Sequence, residues 1–198
     1  MDTRGSRRIV PRLQAGRRSE SCTPRPQTSS GHPATNRVHA GGPAESPVQF
    51  HVGYGDADTD LLLGNPLYLR PVLQRPDYHG MPVVLLHECY PYTRQGGYLA
   101  TVYDNVYLDL SYGIPLLGYG EMLSFTRQAL GVAPSSKLMY SSDGIGVPEL
   151  HWISALDGRR AIGQALGEMV SYGELNLSDA QAAGESILRY NATRLYGL

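Results

Sequence analysis

The sequence predicts an α/β domain built on a parallel β-sheet, and two observations support this. Four short apolar runs recur between Val48 and Ser141, and each is separated from the next by a stretch long enough for a helix. Polar residues suited to metal binding or proton transfer stand at the carboxyl ends of three of these runs. Four strand–helix units make either half of an eight-stranded barrel or a small open sheet, and periodicity alone does not decide between them.

The predicted strands are short runs rich in Val, Leu and Tyr. They cover residues 48–50, 82–86, 106–110 and 137–141. Between them the spacing of apolar residues predicts helices over part of 61–74, over 93–103 and over 119–130. Pro66 and Pro71 should break or shorten the first of these helices, and Gly131 closes the third.

The C-terminal third predicts helices at 148–169 and 178–190, with a final turn around Arg194. Ser178 is the expected N-cap of the second helix, with Gln181 at the capping-box position. We therefore divide the chain into a leader, residues 1–47, and an α/β domain, residues 48–198.

The leader carries a charge opposite to that of the domain. It holds eight Arg against three acidic residues, six Pro, five Gly and six Ser, whereas the whole chain has a net charge of -1. It contains too little apolar surface to offset the entropy lost on folding, so we expect it to be disordered. The leader is a poor candidate for nucleic-acid binding, because its Arg residues are dispersed and no aromatic residue lies among them.

Cysteine content and hydropathy indicate a cytoplasmic protein. Cys22 and Cys89 cannot form a disulfide framework. No apolar run approaches the roughly 20 residues that span a bilayer, and no secretory signal follows Met1. We therefore expect no membrane partner.

His51, His87 and Asp143 are the candidate site residues. Each follows a predicted strand, and the carboxyl ends of parallel strands meet on one face of the sheet. Two imidazoles and a carboxylate are a donor set that suits a divalent metal such as zinc. Taken alone, each His could be a structural residue and Asp143 a turn residue. Cys89 has no evident base and is not expected to act as a nucleophile, and His151 is expected to begin a helix near the site.

An ordered series of motifs resembles the amidohydrolase-related family of metal-dependent hydrolases. The resemblance covers about residues 47 to 198. Within the family, the sequence is similar to the branch whose members are sometimes fused to a glutamine-synthetase-like domain. The matching segments are Phe50-His51-Val52-Gly53-Tyr54-Gly55-Asp56, Val84-Leu85-Leu86-His87 with Tyr90-Pro91-Tyr92, Asn105-Val106-Tyr107-Leu108-Asp109-Leu110-Ser111, Lys137-Leu138-Met139-Tyr140-Ser141-Ser142-Asp143 and Tyr190-Asn191-Ala192-Thr193-Arg194-Leu195-Tyr196-Gly197-Leu198.

The resemblance implies an incomplete TIM-type (β/α)8 barrel, in which the present strands are the last four and are followed by C-terminal helices. It implies that His51, His87 and Asp143 bind the metal, expected to be zinc with manganese as the alternative. It further implies that Asp143 and His87 act in hydrolysis of an amide or related C–N bond of a small molecule. The metal would activate the attacking water, and Asp143 would pass the water's proton to the leaving amine.

The chain also departs from the family pattern, because nothing in it matches the His-x-His pair of the family's first strand. His32 and His39 are isolated in the leader. We therefore expect weak activity or none from this chain alone. The alternative is a non-catalytic remnant or association module. Because the first four strands of the family's barrel are missing, both edges of the sheet should be unpaired, which would favour self-association.

Overall fold

The computed structural model describes residues 46–198 except Asp56, Asp58 and residues 112–116. The leader was predicted to be disordered, and all of it except residues 46 and 47 lies outside the described residues. The first strand has the predicted bounds, and the other three are shorter than the predicted runs. Their bounds are β1 Val48–Phe50, β2 Val83–Leu85, β3 Val106–Asp109 and β4 Leu138–Met139.

The four strands form one parallel sheet in the order β1-β2-β3-β4. Val83 pairs with Val48 on one side and with Val106 on the other, and Leu108 pairs with Leu138. Each strand lies beside the one before it in sequence, without the reversal of strand order found in doubly wound open sheets. The prediction of a parallel α/β fold is confirmed, and this topology is consistent with part of a TIM-type barrel.

Helices connect the strands and complete the C-terminal third. In the described residues they are α1 Arg70–Leu73, α2 Thr93–Val102, α3 Tyr119–Leu130, α4 Pro148–Ser171, α5 Leu177–Glu185 and α6 Asn191–Tyr196. A π-helical segment, Ser186–Tyr190, joins α5 to α6, and short 3₁₀ turns lie at Pro66–Leu69, Pro76–Tyr78, His87–Cys89 and Ser135–Lys137. The first helical region is short and broken, as the prolines predicted.

The core lies between the sheet and its helices. The core side chains of β2, β3 and β4 are at most 1% exposed, and they are Val83, Leu85, Val106, Leu108 and Leu138. They pack with helix residues that include Leu99, Ala129, Ile162, Leu166 and Ile187. Burying one such Leu or Val contributes about 1.5–3 kcal/mol, so this interface is a major source of stability. In the described part of the chain, no helix combines the length and apolar content needed to cross a bilayer.

The predicted N-cap of the helix expected at 178–190 is wrong by two residues. Helix α5 begins at Leu177 and its N-cap is Asn176, whose side chain accepts a hydrogen bond from the backbone N–H of Asp179. Asn176 has the extended backbone that a capping residue requires, with φ −82° and ψ 165°. Ser178 lies inside the first turn and donates its hydroxyl to the Asn176 side chain instead. Gln181 is therefore not in a capping box.

Among the described residues no strand pairs with the outer edge of β4, as expected, but backbone groups at this edge are hydrogen-bonded to the helical segment that follows α5. The backbone N–H of Tyr140, just beyond β4, donates to the Ile187 carbonyl at 3.1 Å. The Asn191 amide donates to the Leu138 carbonyl at 2.7 Å. The π-helical turn makes this possible, because the Asn191 N–H bonds to Ser186 and so leaves the Ile187 carbonyl free for the strand. At the other edge, no strand of the described residues pairs with the outer side of β1.

Candidate functional site

The three predicted site residues lie side by side at the carboxyl ends of the strands. His51 follows β1 directly, His87 lies just beyond β2, and Asp143 lies beyond β4. The ring centroids of His51 and His87 are 4.2 Å apart. The Nδ1 atom of His87 is 3.4 Å from the Oδ2 atom of Asp143. Their assignment as metal ligands stays a prediction.

A strained turn holds His87 in place. His87, Glu88 and Cys89 have φ angles of 58°, 53° and 55°, and Asp143 has a φ of 45°. This left-handed region costs an L residue roughly 1–2 kcal/mol, and such strain concentrates at functional sites. The turn is closed by a hydrogen bond from the backbone N–H of Tyr90 to the His87 carbonyl at 2.9 Å.

The loop that carries His51 is tied to this turn through Gly53. The backbone N–H of Tyr54 donates to the Tyr90 carbonyl at 2.7 Å. Gly53 has a φ of +72°, and a Cβ at this position would lie 2.2 Å from the same carbonyl oxygen. Only glycine permits this close approach of the two loops, so Gly53 helps to set the distance between the two imidazoles.

The environment of His87 favours its neutral form. Its side chain is only 9% exposed, and burial lowers its pKa below the ordinary 6.5. The Asp143 carboxylate works against this by raising the pKa, whereas His51 lowers it further. His87 is therefore mostly neutral at pH 7, and one ring nitrogen has a lone pair that can bind a metal or accept a proton.

A buried carboxylate that the sequence reasoning missed lies behind His87. Asp109, at the end of β3, is 5% exposed. The Ser111 hydroxyl donates to its Oδ2, and the Ser141 hydroxyl donates to its Oδ1 at 3.1 Å. The Ser111 oxygen also lies 3.1 Å from His87 Nδ1. Burial raises the pKa of Asp109 to about 6, although these hydrogen bonds lower it. A carboxylate within an apolar run, with a serine two residues later on the same face, was the available signal.

Three other side chains near the site are Glu88, Cys89 and His151. Glu88 is 1% exposed, its Oε1 has no hydrogen-bond partner among the described residues, and burial together with Asp109 raises its pKa well above the ordinary value. Cys89 is fully buried, and burial raises the pKa of its thiol, so the prediction that it is not a nucleophile agrees with its environment. His151 lies in the first turn of α4, as predicted, with its Nδ1 2.7 Å from the Ser142 hydroxyl.

The side chains at the strand ends have the donor atoms that bind a divalent metal, but they do not form a complete metal site. Imidazole nitrogens and a carboxylate are ordinary zinc ligands. Within the described residues, however, no three His, Cys, Asp or Glu side chains are arranged to hold one ion together. Asp143 approaches His87 at Nδ1, the nitrogen already in contact with Ser111. The chain's own residues therefore provide part of a metal site.

Comparisons with known proteins agree with this chemistry. A crystal structure of a protein assigned as a metal-dependent hydrolase from Lactobacillus casei is similar to the chain, with a TM-score of 0.66 and 36% identity over 76% of this chain. Protein fluG of Emericella nidulans is 40% identical over 152 residues, which is 77% of this chain. The chain spans 39% of the Lactobacillus casei chain and 17% of fluG, so it matches only a part of each relative.

The family model described as amidohydrolase matches residues 39–198. This range includes all four strands, His51, His87 and Asp143. Relatives of this kind depend on a divalent metal, so the family implies one here. The chain belongs to the amidohydrolase family of metal-dependent hydrolases.

Proposed function

We propose that this chain is a hydrolase domain that acts on an amide or related C–N bond of a small molecule, with the help of a divalent metal. The observation that carries the proposal is the position of His87, with the His51 ring 4.2 Å away and the Asp143 carboxylate 3.4 Å away. Family membership supports the reaction class. The cysteine content supports a cytoplasmic location.

His51, His87 and Asp143 would hold the metal, with zinc preferred over manganese because two of the three donors are imidazoles. When bound, the metal supplies activation of water and polarisation of the scissile carbonyl. The Asp143 side chain is 27% exposed, so it can accept a proton from water and deliver it to the leaving amine. The neutral His87 ring has one nitrogen with a lone pair that can bind the metal.

We further propose that the fold is an incomplete TIM-type barrel, and that full activity requires strands and ligands beyond those described. The sequential parallel sheet supports this, and so does the 39% coverage of the Lactobacillus casei chain. Alone, the chain should be weakly active or inactive. The second candidate is a non-catalytic association module, which is favoured by the lack of a three-ligand group among the described residues.

A metal-dependent amine-release assay tests the proposal. The purified chain would be incubated with zinc or manganese and a panel of small amides. We expect slow amine release that chelators abolish, that Asp143→Asn removes, and that Asp77→Asn leaves intact. Asp77 is a suitable control because it lies in an exposed ion pair before β2. Release that survives chelation or Asp143→Asn would contradict the mechanism, and no release together with no bound zinc would favour the association module.

A further inference from the structure

The Asp109 carboxylate is surrounded by hydrogen-bond donors. Ser111 and Ser141 each direct a hydroxyl to it, and the backbone N–H groups of His87 and Ser111 also hydrogen-bond to it. Backbone N–H groups can only donate, and an ionised carboxylate can only accept. The surroundings of Asp109 are therefore complementary to a pure acceptor.

This arrangement determines the direction of the next hydrogen bond. Ser111 has a single hydroxyl proton, which it gives to Asp109. At its 3.1 Å contact with His87 Nδ1, the Ser111 oxygen can then only accept. The second neighbour of Nδ1, the Asp143 oxygen at 3.4 Å, is also an acceptor. Because Nδ1 faces two acceptors, it must carry the ring proton.

We propose that Ser111 and Asp109 are positioning residues that hold His87 in one tautomer, with the proton on Nδ1 and the lone pair on Nε2. The hydrogen bond made by one ring nitrogen sets the chemistry of the other. Nε2 is thus the atom with which His87 binds a metal or accepts a proton. The catalytic meaning of this tautomer rests on the proposed function, whereas the tautomer itself depends only on the hydrogen bonds.

Nitrogen NMR of the whole chain measures the tautomer directly. The chain would be labelled with 15N at its six histidines and studied at about pH 8, above the pKa of about 6 that burial gives Asp109. Comparison with a His87→Gln variant identifies the His87 signals. We expect Nδ1 to give the signal of a protonated ring nitrogen and Nε2 that of a nitrogen with a free lone pair.

Two serine variants separate positioning from general stabilisation. Ser111→Ala and Ser141→Ala each remove one hydroxyl donor from Asp109, but only Ser111 contacts His87. We expect Ser111→Ala to shift both His87 nitrogen signals toward the average of the two tautomers. Ser141→Ala should leave them unchanged.

The proposal is overturned if wild-type His87 carries its proton on Nε2 or exchanges equally between tautomers. It is also overturned if the two serine variants give the same His87 signals. These outcomes do not depend on metal binding or hydrolysis, because the spectrum reports on the ring in the purified chain. Failure of the proposed hydrolase function would instead appear in the amine-release assay while the tautomer remained fixed.

Discussion

His87 Nδ1 lies 3.4 Å from Asp143 Oδ2, although these residues follow β2 and β4, which are separated in the sheet by β3. Two strand spacings amount to about 10 Å, so the two side chains must lean toward each other across the end of β3. Ser111, which lies just beyond β3, is in contact with His87 at the same place. The site is thus built from four strand ends, because the end of β1 contributes His51.

The buried carboxylate of Asp109 predicts a specific dependence of stability on pH. Its folded pKa is about 6, whereas its ordinary value is near 4. Between these values the folded protein binds more protons than the unfolded chain, so Asp109 lowers stability as pH rises through this window. Asp109→Asn removes the titration. The free energy of unfolding of the variant minus that of wild type should therefore rise by about 2–3 kcal/mol from pH 4 to pH 7.

Urea denaturation at several pH values measures this difference. Subtracting the wild-type curve cancels shared groups whose pKa does not depend on Asp109, including His87, whose lowered pKa acts in the opposite direction. Glu88 does not cancel, because Asp109 raises its pKa, but its change makes the difference rise in the same direction. Ser141→Ala serves as a control that keeps the carboxylate. A difference that is flat or falls between pH 4 and pH 7 would show that Asp109 is not the titrating group.

Gly53→Ala should destabilise the fold strongly. The added Cβ would lie 2.2 Å from the Tyr90 carbonyl at a backbone φ of +72°, so both the clash and the conformation are unfavourable. We expect a loss of more than about 1 kcal/mol in thermal unfolding. Gly80→Ala is the matched control, because no atom of the described residues lies within 4 Å of the place its added methyl group would take and its φ is not positive. Equal stability of the two variants would refute a tight contact between the loops.

Asn191→Ala should release the start of helix α6 from the β4 edge of the sheet. Asn191 is 1% exposed and donates to the carbonyls of Ser135 and Leu138, both at 2.7 Å. Its loss leaves buried acceptors unpaired, which costs about 1–3 kcal/mol. Chemical denaturation measures this cost, with the exposed Gln181→Ala as the control.

The same substitution tests how the β4 edge is protected. An uncovered strand edge promotes pairing between chains, so Asn191→Ala should increase the oligomeric fraction in size-exclusion chromatography. If the variant elutes like wild type at every concentration while its stability falls, the helix stabilises the domain without guarding the edge. Self-association through the outer edge of β1 remains a separate prediction.

The fold was largely predictable because its signals are local. Apolar runs separated by helical stretches specified the parallel sheet, and α3 has the predicted bounds, Tyr119 to Leu130. The covered edge of β4 was not predictable, since it depends on a π-helical turn that frees the Ile187 carbonyl for a distant backbone group. The cap at Asn176 was missed because Ser178 has an equally good capping side chain and only backbone angles distinguish the two.

For the site, strand-end position alone brought His51, His87 and Asp143 together in the prediction. The sequence could not reveal the orientation of His87, because that depends on Ser111 and Asp109 on a neighbouring strand. Nor could it reveal the left-handed turn at His87, since none of the residues in that turn is a glycine. Tertiary contacts impose this conformation against local preference.

The metal content of the purified chain tests the central claim most directly. When the wild-type chain is dialysed against excess zinc, elemental analysis should find bound zinc, held weakly because the described residues provide only part of a metal site. His87→Ala should lose this ion, whereas His79→Ala should retain it, because His79 is exposed and precedes β2 at the opposite end of the strand. Equal zinc in all three proteins, or none above background in the wild type, would contradict a metal site formed by His51, His87 and Asp143.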